Sequence, residues 1–398
     1  MKISRYLAFA AIGVLSFSSC KKNDQKAEQT ELDQQDGPVI TTASDNWEAI
    51  PNQYIVTYRD NMASTAGTSA QRAAYQTNAV QSILERSQIP DEKVLRKFSE
   101  GFNGFTAVLN QSEADKLRQD PSVENIEPDR IIHLSNNLLR PVSQSTQVMP
   151  WGVKKTGYAD GTGKTCWIID TGIDFTHPDL HVDVARSKSF LSNDKSAADQ
   201  NGHGTHVAGT IGARNNNFGV IGVAPNATLI SLRALDANGS GVLSSVIAAV
   251  NWVGTYGKPG DVVNMSVGGD QSATLDKAVY NASMKGIYFA IAAGNDSKNA
   301  ANSSPSDVNS PFVFTVSAMN SNDNFASFSN FGNPPIDFCA PGVGILSTYL
   351  GGNYGTLSGT SMATPHVAGL LLLEGKNIKS SGPVKNDPDG KADPMAHL

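Results

Sequence analysis

Only three cysteines occur in the 398 residues, Cys20, Cys166 and Cys339, and no two of them stand in CxxC spacing. Their spacing argues against a structural zinc site built on thiolates. HExxH is also missing, which removes the commonest helical zinc-peptidase motif. Positive charge is scarce: 31 Lys and Arg against 37 Asp and Glu leave a formal net charge of −6. Binding to duplex DNA needs a concentrated basic footprint, so no nucleic-acid partner is expected. Beyond the first twenty residues no apolar run is long enough to cross a bilayer. Against these absences stand 39% hydrophobic residues, 36 Gly and 19 Pro. That composition supports a sizeable core crossed by many tight turns, in roughly two or three domains at ~150 residues each.

Residues 1–20 read as a targeting segment. Lys2 and Arg5 precede an apolar run from Tyr6 to Phe17, followed by Ser18-Ser19-Cys20. The run has signal-peptide proportions and is short for a bilayer span. A cysteine after small residues at the end of such a core resembles a bacterial lipoprotein signal, in which the Cys20 sulfur carries the lipid and gives a membrane anchor. An ordinary secretory peptide cut nearby is the alternative. Both readings export the chain, to the cell envelope or, after processing, to the medium. Residues 21–50 are polar and read as a disordered tether.

The pattern from 51 to 134 is β-α-β-β-α-β, a small α+β split βαβ domain. Its last strand is read over Val123–Pro128, and a capped helix over Ser112–Gln119. A polar linker follows at 135–148. Over 149–375 apolar strands alternate with helical stretches, which predicts an α/β domain with a mostly parallel sheet and helices on both faces. Residues 376–398 read as a polar, turn-rich tail without a helix.

In such sheets, chemistry gathers at the carboxyl ends of the strands. Asp170 follows the strand Trp167-Ile168-Ile169, and Asn295 follows the strand ending Ala292-Ala293-Gly294. His203 opens His-Gly-Thr-His at a predicted helix start, and Ser361 lies in Gly-Thr-Ser-Met-Ala-Thr-Pro-His at another. Pro365 falls near that second start, where unpaired N–H groups tolerate it. A serine hydroxyl is a poor nucleophile at neutral pH. It needs a base within reach and a carboxylate to orient that base. Asp170, His203 and Ser361 supply all three in the chain order Asp-His-Ser.

On these motifs, residues 151 to about 375 resemble subtilisin-like serine peptidases of the proteinase K branch, and residues 53–134 resemble their inhibitory propeptide. The resemblance implies a zymogen that cuts peptide bonds through an acyl-enzyme, with no cofactor needed for the chemistry. Ser361 would attack, His203 would carry the proton, Asp170 would orient the imidazole and Asn295 would hold the oxyanion. Ser266, Val267 and Gly268 would pair with an extended peptide or protein substrate on one side, and Gly239 and Gly241 on the other. Ala292, Ala293 and Gly294 would wall an uncharged P1 pocket that favours apolar or aromatic residues, and Leu243 would line P4. The carbonyls of Pro311 and Val313 and the carboxylate of Asp337 align with a calcium site. The propeptide would act as an intramolecular inhibitor and folding aid, released by a cut in the 135–148 linker.

Other features take bland readings. His206, three residues from His203, and His366 are expected to be structural, and Asp174 a turn or supporting carboxylate. Gly161-Thr162-Gly163-Lys164-Thr165 imitates a phosphate loop but precedes a strand, so it reads as a turn. Cys166 and Cys339 are either free and buried or paired. An inactive peptide-capturing protein is a competing class of reading, and the intact Asp170, His203, Ser361 and Asn295 argue against it. An esterase reading fails for want of GxSxG and on chain order.

Overall fold

A computed structural model describes residues 47–59, 69–98, 103–134, 140–142 and 146–398. The leader with Cys20, nearly all of the tether and much of the linker lie outside the described residues. The first unit runs β1 (Glu48–Tyr58), α1 (Ser69–Ser87), β2 (Val94–Phe98), β3 (Gly104–Val108), α2 (Gln111–Gln119) and β4 (Val123–His133). Its strands form an antiparallel sheet in the order β2-β3-β1-β4, closed over a core that includes Val56, Ile83, Leu84, Phe105 and Leu117. The cap of α2 is Asn110, not Ser112: Asn110 accepts from the Glu113 amide, and Glu113 accepts from the Asn110 amide in return. β4 also runs five residues past Pro128, where the sequence reading stopped it.

After the short strand β5 (Arg140–Val142) come α3 (Trp151–Thr156), β6 (Thr165–Asp170), β7 (Lys188–Ser189), α4 (His203–Gly212), β8 (Thr228–Arg233), β9 (Ser240–Val242), α5 (Leu243–Tyr256), β10 (Val262–Met265) and α6 (Ala273–Ser283). The chain continues through β11 (Tyr288–Ala292), β12 (Val313–Met319), β13 (Ile336–Pro341), β14 (Ile345–Tyr349), β15 (Asn353–Leu357), α7 (Thr360–Glu374), β16 (Lys379–Pro383) and β17 (Pro394–His397). Nine strands make one sheet in the order β16-β17-β13-β12-β11-β10-β6-β8-β7, parallel throughout except at β16-β17.

Central strands such as Val262-Val263-Asn264-Met265 are buried along their whole length because helices cover both faces. One face packs on α3, α4 and α7 through Val153, Val207, Ile211, Met362 and Val367. The other packs on α5 and α6 through Val246, Ile247, Val250, Leu275 and Val279. Ile55, Phe98 and Ile132 of the first unit join that second core.

Two open points resolve here. Cys166 on β6 and Cys339 on β13 are both buried and unpaired. Three strands separate them, so at ~4.8 Å per strand they stand roughly 19 Å apart, beyond disulfide reach. The polar C-terminal stretch has no helix but folds as a hairpin. β17 adds to the sheet beside β13, and the Leu398 amide donates to the Thr156 carbonyl at 2.8 Å.

Candidate active site

Asp170 ends β6 fully buried, and His203 is the first residue of α4. Both carboxylate oxygens of Asp170 face His203 Nδ1, at 2.8 and 3.0 Å. Burial pulls the imidazole pKa down, but the charge and hydrogen bond of Asp170, with help from Asp199, raise it above its ordinary value. The preceding residue must be glycine. Gly202 has φ +109°, and a Cβ there would lie 2.3 Å from the Tyr349 ring.

Ser361 is the second residue of α7. Its hydroxyl donates to the Ser266 carbonyl at 3.2 Å, and the Ser266 hydroxyl donates to the Ser361 carbonyl at 2.9 Å. No hydrogen bond joins Ser361 Oγ to His203 Nε2 among the described residues. Pro365 is not in the first turn of α7, as the sequence reading placed it. It lies four residues after Ser361, so the N–H that would have met the Ser361 carbonyl is missing. Ser266 takes that carbonyl instead.

Asn295 follows β11. Its Oδ1 accepts from the Thr360 amide at 2.8 Å and the Thr360 hydroxyl at 3.0 Å. A backbone N–H can only donate, so the NH₂ end of the side chain is the end turned away from Thr360. Ser266, Val267, Gly268, Ala292, Gly294, Asn295, Thr360 and Ser361 line one cleft together with His133 and Leu134.

Those last two residues explain why the cleft is nearly filled. β4 leaves the first unit and pairs antiparallel with β9, in the register Ile131–Val242, Ile132–Gly241 and His133–Ser240. The Leu134 amide then donates to the Gly239 carbonyl at 2.9 Å. Gly239 and Gly241 are thus already engaged by an extended strand of the same chain, on the side expected to receive substrate. Leu243 is the buried first residue of α5. Two carboxylates seat the strand. Asp129 accepts from the Ser244 amide and hydroxyl at 3.1 and 2.6 Å, and Glu127 accepts from the Ser272 hydroxyl and Thr274 amide at 3.1 Å each. Each meets the N-terminus of a helix, α5 or α6, where backbone donors are unpaired.

The bland readings also find their places. His206 Nε2 meets the carbonyls of Ile345 and Gly355, and burial pushes its pKa down to about 3. His366 Nδ1 meets the Met362 carbonyl, and burial takes it to about 4. Asp174 accepts from Thr176 and from the Gly351 amide, which organises a turn. Sequence reasoning missed Asp199, which accepts from the amides of Asn201, Gly202 and Thr205 and so shapes the loop before His203. Its only signal was an aspartate two residues before Asn-Gly.

Val313 opens β12, and Asp337 lies on the neighbouring β13 with Oδ2 accepting from the Thr315 amide at 2.9 Å. Burial pushes the Asp337 carboxyl up to about 6, against the Thr315 hydrogen bond, which favours the charged form. Among the described residues no group of three or more His, Cys, Asp or Glu is placed to hold a metal. No helix among them is long and apolar enough to cross a membrane.

A buried carboxylate at the end of β6 bonded to an imidazole at the start of α4, with a serine at the start of α7 and a carboxamide after β11, is the group set of a serine peptidase. Comparison with known proteins specifies which kind. The subtilase (peptidase S8) family matches residues 161–381, and peptidase inhibitor I9 matches residues 53–135. The chain is 38% identical to alkaline serine exoprotease A of Vibrio alginolyticus over 82% of its own length, spanning 60% of that relative. It is also 38% identical to the subtilisin-like serine protease Pen c 1 of Penicillium citrinum, over 85% of this chain and 87% of that one. A crystal structure of a cold-adapted subtilisin-like serine proteinase superimposes with TM-score 0.54 at 38% identity, covering 62% of this chain and 97% of the other. The chain belongs to the subtilase family, with an I9 propeptide before its catalytic domain. By that membership it is a serine endopeptidase.

Proposed function

We propose that the chain is an exported zymogen that hydrolyses peptide bonds through Asp170, His203 and Ser361. The observation that carries this reading is the Asp170–His203 contact in a chain whose Ser361 and Asn295 line one cleft with the end of β4. Ser361 Oγ attacks the scissile carbonyl once it turns from Ser266 to His203, and His203 takes its proton and returns it to the leaving amine. Asp170 holds the imidazole tautomer. The Asn295 NH₂ and the Ser361 amide stabilise the oxyanion. The P1 wall of Ala292 and Gly294 carries no charge, which suits apolar and aromatic side chains.

The propeptide lies across this cleft as an inhibitor, and its own linker is the first substrate. The Leu134 amide, just before the linker, is tied to Gly239, and Arg140 within it is paired with β15. Intact mass and N-terminal sequence of the wild type beside Ser361→Ala test the proposal. The wild type shortens to a species that begins within the 135–148 linker, and the variant stays whole. If both stay whole and a serine-directed phosphonate labels neither, the cleft captures peptides without cutting them.

Two further assignments belong to this reading. Cys20 carries a lipid that tethers the precursor, so the anchor remains with the propeptide after cleavage. The carbonyls of Pro311 and Val313 and the Asp337 carboxylate would hold a calcium ion. An all-oxygen donor set suits that ion, and a carboxyl whose charged form is disfavoured by its surroundings gains from a neighbouring cation. When bound, the ion would brace β12 against β13 and take no part in the chemistry.

A further inference from the structure

The surface of α6 under the propeptide holds a feature the catalytic reading does not use. Asp276, in the first turn of α6, and Asp307, in the loop before β12, each have a carboxylate oxygen (Oδ1) that is shielded from solvent and has no hydrogen-bond donor. The other Asp276 oxygen accepts from the Ser304 hydroxyl at 2.8 Å. The Ser304 oxygen in turn accepts from the Ser272 amide at 2.8 Å, and the Ser272 hydroxyl donates to Glu127 of the propeptide. Three carboxyl groups, one of them brought in by docking, therefore share one short network.

Asp307 also takes hydrogen bonds from the Gln271 side chain and its own amide, but no donor reaches either Oδ1. Asp276 and Asp307 are hydrogen-bond partners of each other, which two carboxylates can be only if a proton sits between them. We propose that Asp276 and Asp307 share a proton when the propeptide is docked, and that the Glu127 charge makes docking of the propeptide proton-linked. Burial, the Asp307 charge and the Glu127 charge push Asp276 up to about 8, and burial raises Asp307. The other charged groups at this surface are committed elsewhere. Lys277 pairs with Glu124, the Arg130 guanidinium donates to the Gln271 carbonyl, and Asp270 accepts from the Trp47 amide. None of them supplies a counter-charge to the pair.

The sign follows from linkage. Docking adds a negative charge beside the pair and raises its affinity for the proton, so the docked state binds more protons than the released state. The docked state is then favoured at low pH and loses that advantage as pH rises through about 8. The propeptide is held in mildly acidic or neutral surroundings and let go in alkaline ones.

This inference rests on the propeptide reading but not on catalysis, and its test needs no turnover. In the full-length Ser361→Ala chain, hydrogen exchange of the segment ending at Leu134 reports how often β4 leaves β9. Parent and variants are compared at the same pH, which cancels the intrinsic pH dependence of exchange. Between pH 6.5 and 9 the parent should lose about tenfold more protection than Asp307→Asn, which mimics the protonated pair at every pH. Asp276→Asn should flatten the pH response likewise. Glu127→Gln keeps an acceptor for Ser272 and Thr274 and removes the charge, so it too should flatten it, and it covers the case in which an α6 or loop variant does not fold. If the variants lose protection in step with the parent across this range, the pair is not linked to docking and the proposal is wrong. Failure of the protease reading would show instead as a wild-type chain that never shortens, which leaves this comparison interpretable.

Discussion

At the scale of single residues, His203 and Asn295 carry the sharpest expectations. Removing the amide donor in Asn295→Ala should cost roughly 10²–10³ in kcat with little change in KM, because its hydrogen bond forms to the oxyanion and not to the substrate. Steady-state kinetics on a chromogenic peptide measure this. His203 must be neutral to act as base, and Asp170 holds its pKa above the ordinary histidine value. The acid limb of kcat/KM should therefore lie above ~6.5, with activity rising through neutral into alkaline pH. A pH–rate profile that falls from pH 6 to 8 would contradict His203 as the base. Ser266 and Pro365 belong to the same scale. Proline deletes one helical donor and Ser266 replaces it, so the start of α7 is bonded to β10's continuation and not only to itself.

Among elements, β4 matters most. It pairs with β1 of the propeptide sheet from Val123 to Ile131 and, on its other edge, with β9 from Ile131 to His133. Its docking depends on Glu127 and Asp129 reaching two helix N-termini. Asp129→Ala removes a partner from both the amide and the hydroxyl of Ser244, and loss of such a cap costs about 1 kcal/mol. In the Ser361→Ala background this should appear as faster proteolysis of the propeptide by an added protease, while the catalytic domain stays resistant.

The sequence disclosed those parts of this arrangement that depend on short-range pattern. Asp170, His203, Asn295 and Ser361 each sit at the end of a strand or the start of a helix, so local periodicity placed them. Buried β-branched runs betrayed the parallel strands. What stayed hidden needed partners far along the chain. The extension of β4 past Pro128 rests on Glu48 and Ala49 of β1, some eighty residues back, and on Ser240–Val242, more than a hundred residues on. The C-terminal hairpin reads as polar because β16 and the turn after it are largely exposed, and only β17 meets the sheet. The Asp276–Asp307 pair joins a helix to a loop thirty-one residues later, and neither residue type announces burial.

For the whole molecule, the order of parts along the chain has a spatial meaning. The anchor proposed at Cys20 and the catalytic domain lie on opposite sides of the 135–148 linker. Cutting the linker should therefore leave lipid with the propeptide and free the enzyme. Immunoblots of membrane and medium fractions are expected to show full-length Ser361→Ala in the membrane and the wild-type catalytic domain in the medium. A mature wild-type form that stays with the membrane would count against a lipid on Cys20.

The continuity of β4 with β9 also bears on timing. The strand that plugs the cleft is the upstream product of the first cut, and the cut removes none of the hydrogen bonds at Glu127, Asp129 or β9. A freshly cut molecule is then still shut. A propeptide that detaches can dock again, until a molecule already open digests it. Each opened molecule can open more, so a population of zymogens should wait and then convert nearly together. The length of the wait is set by the rare first escape of β4, and a trace of mature enzyme added at the outset should abolish it.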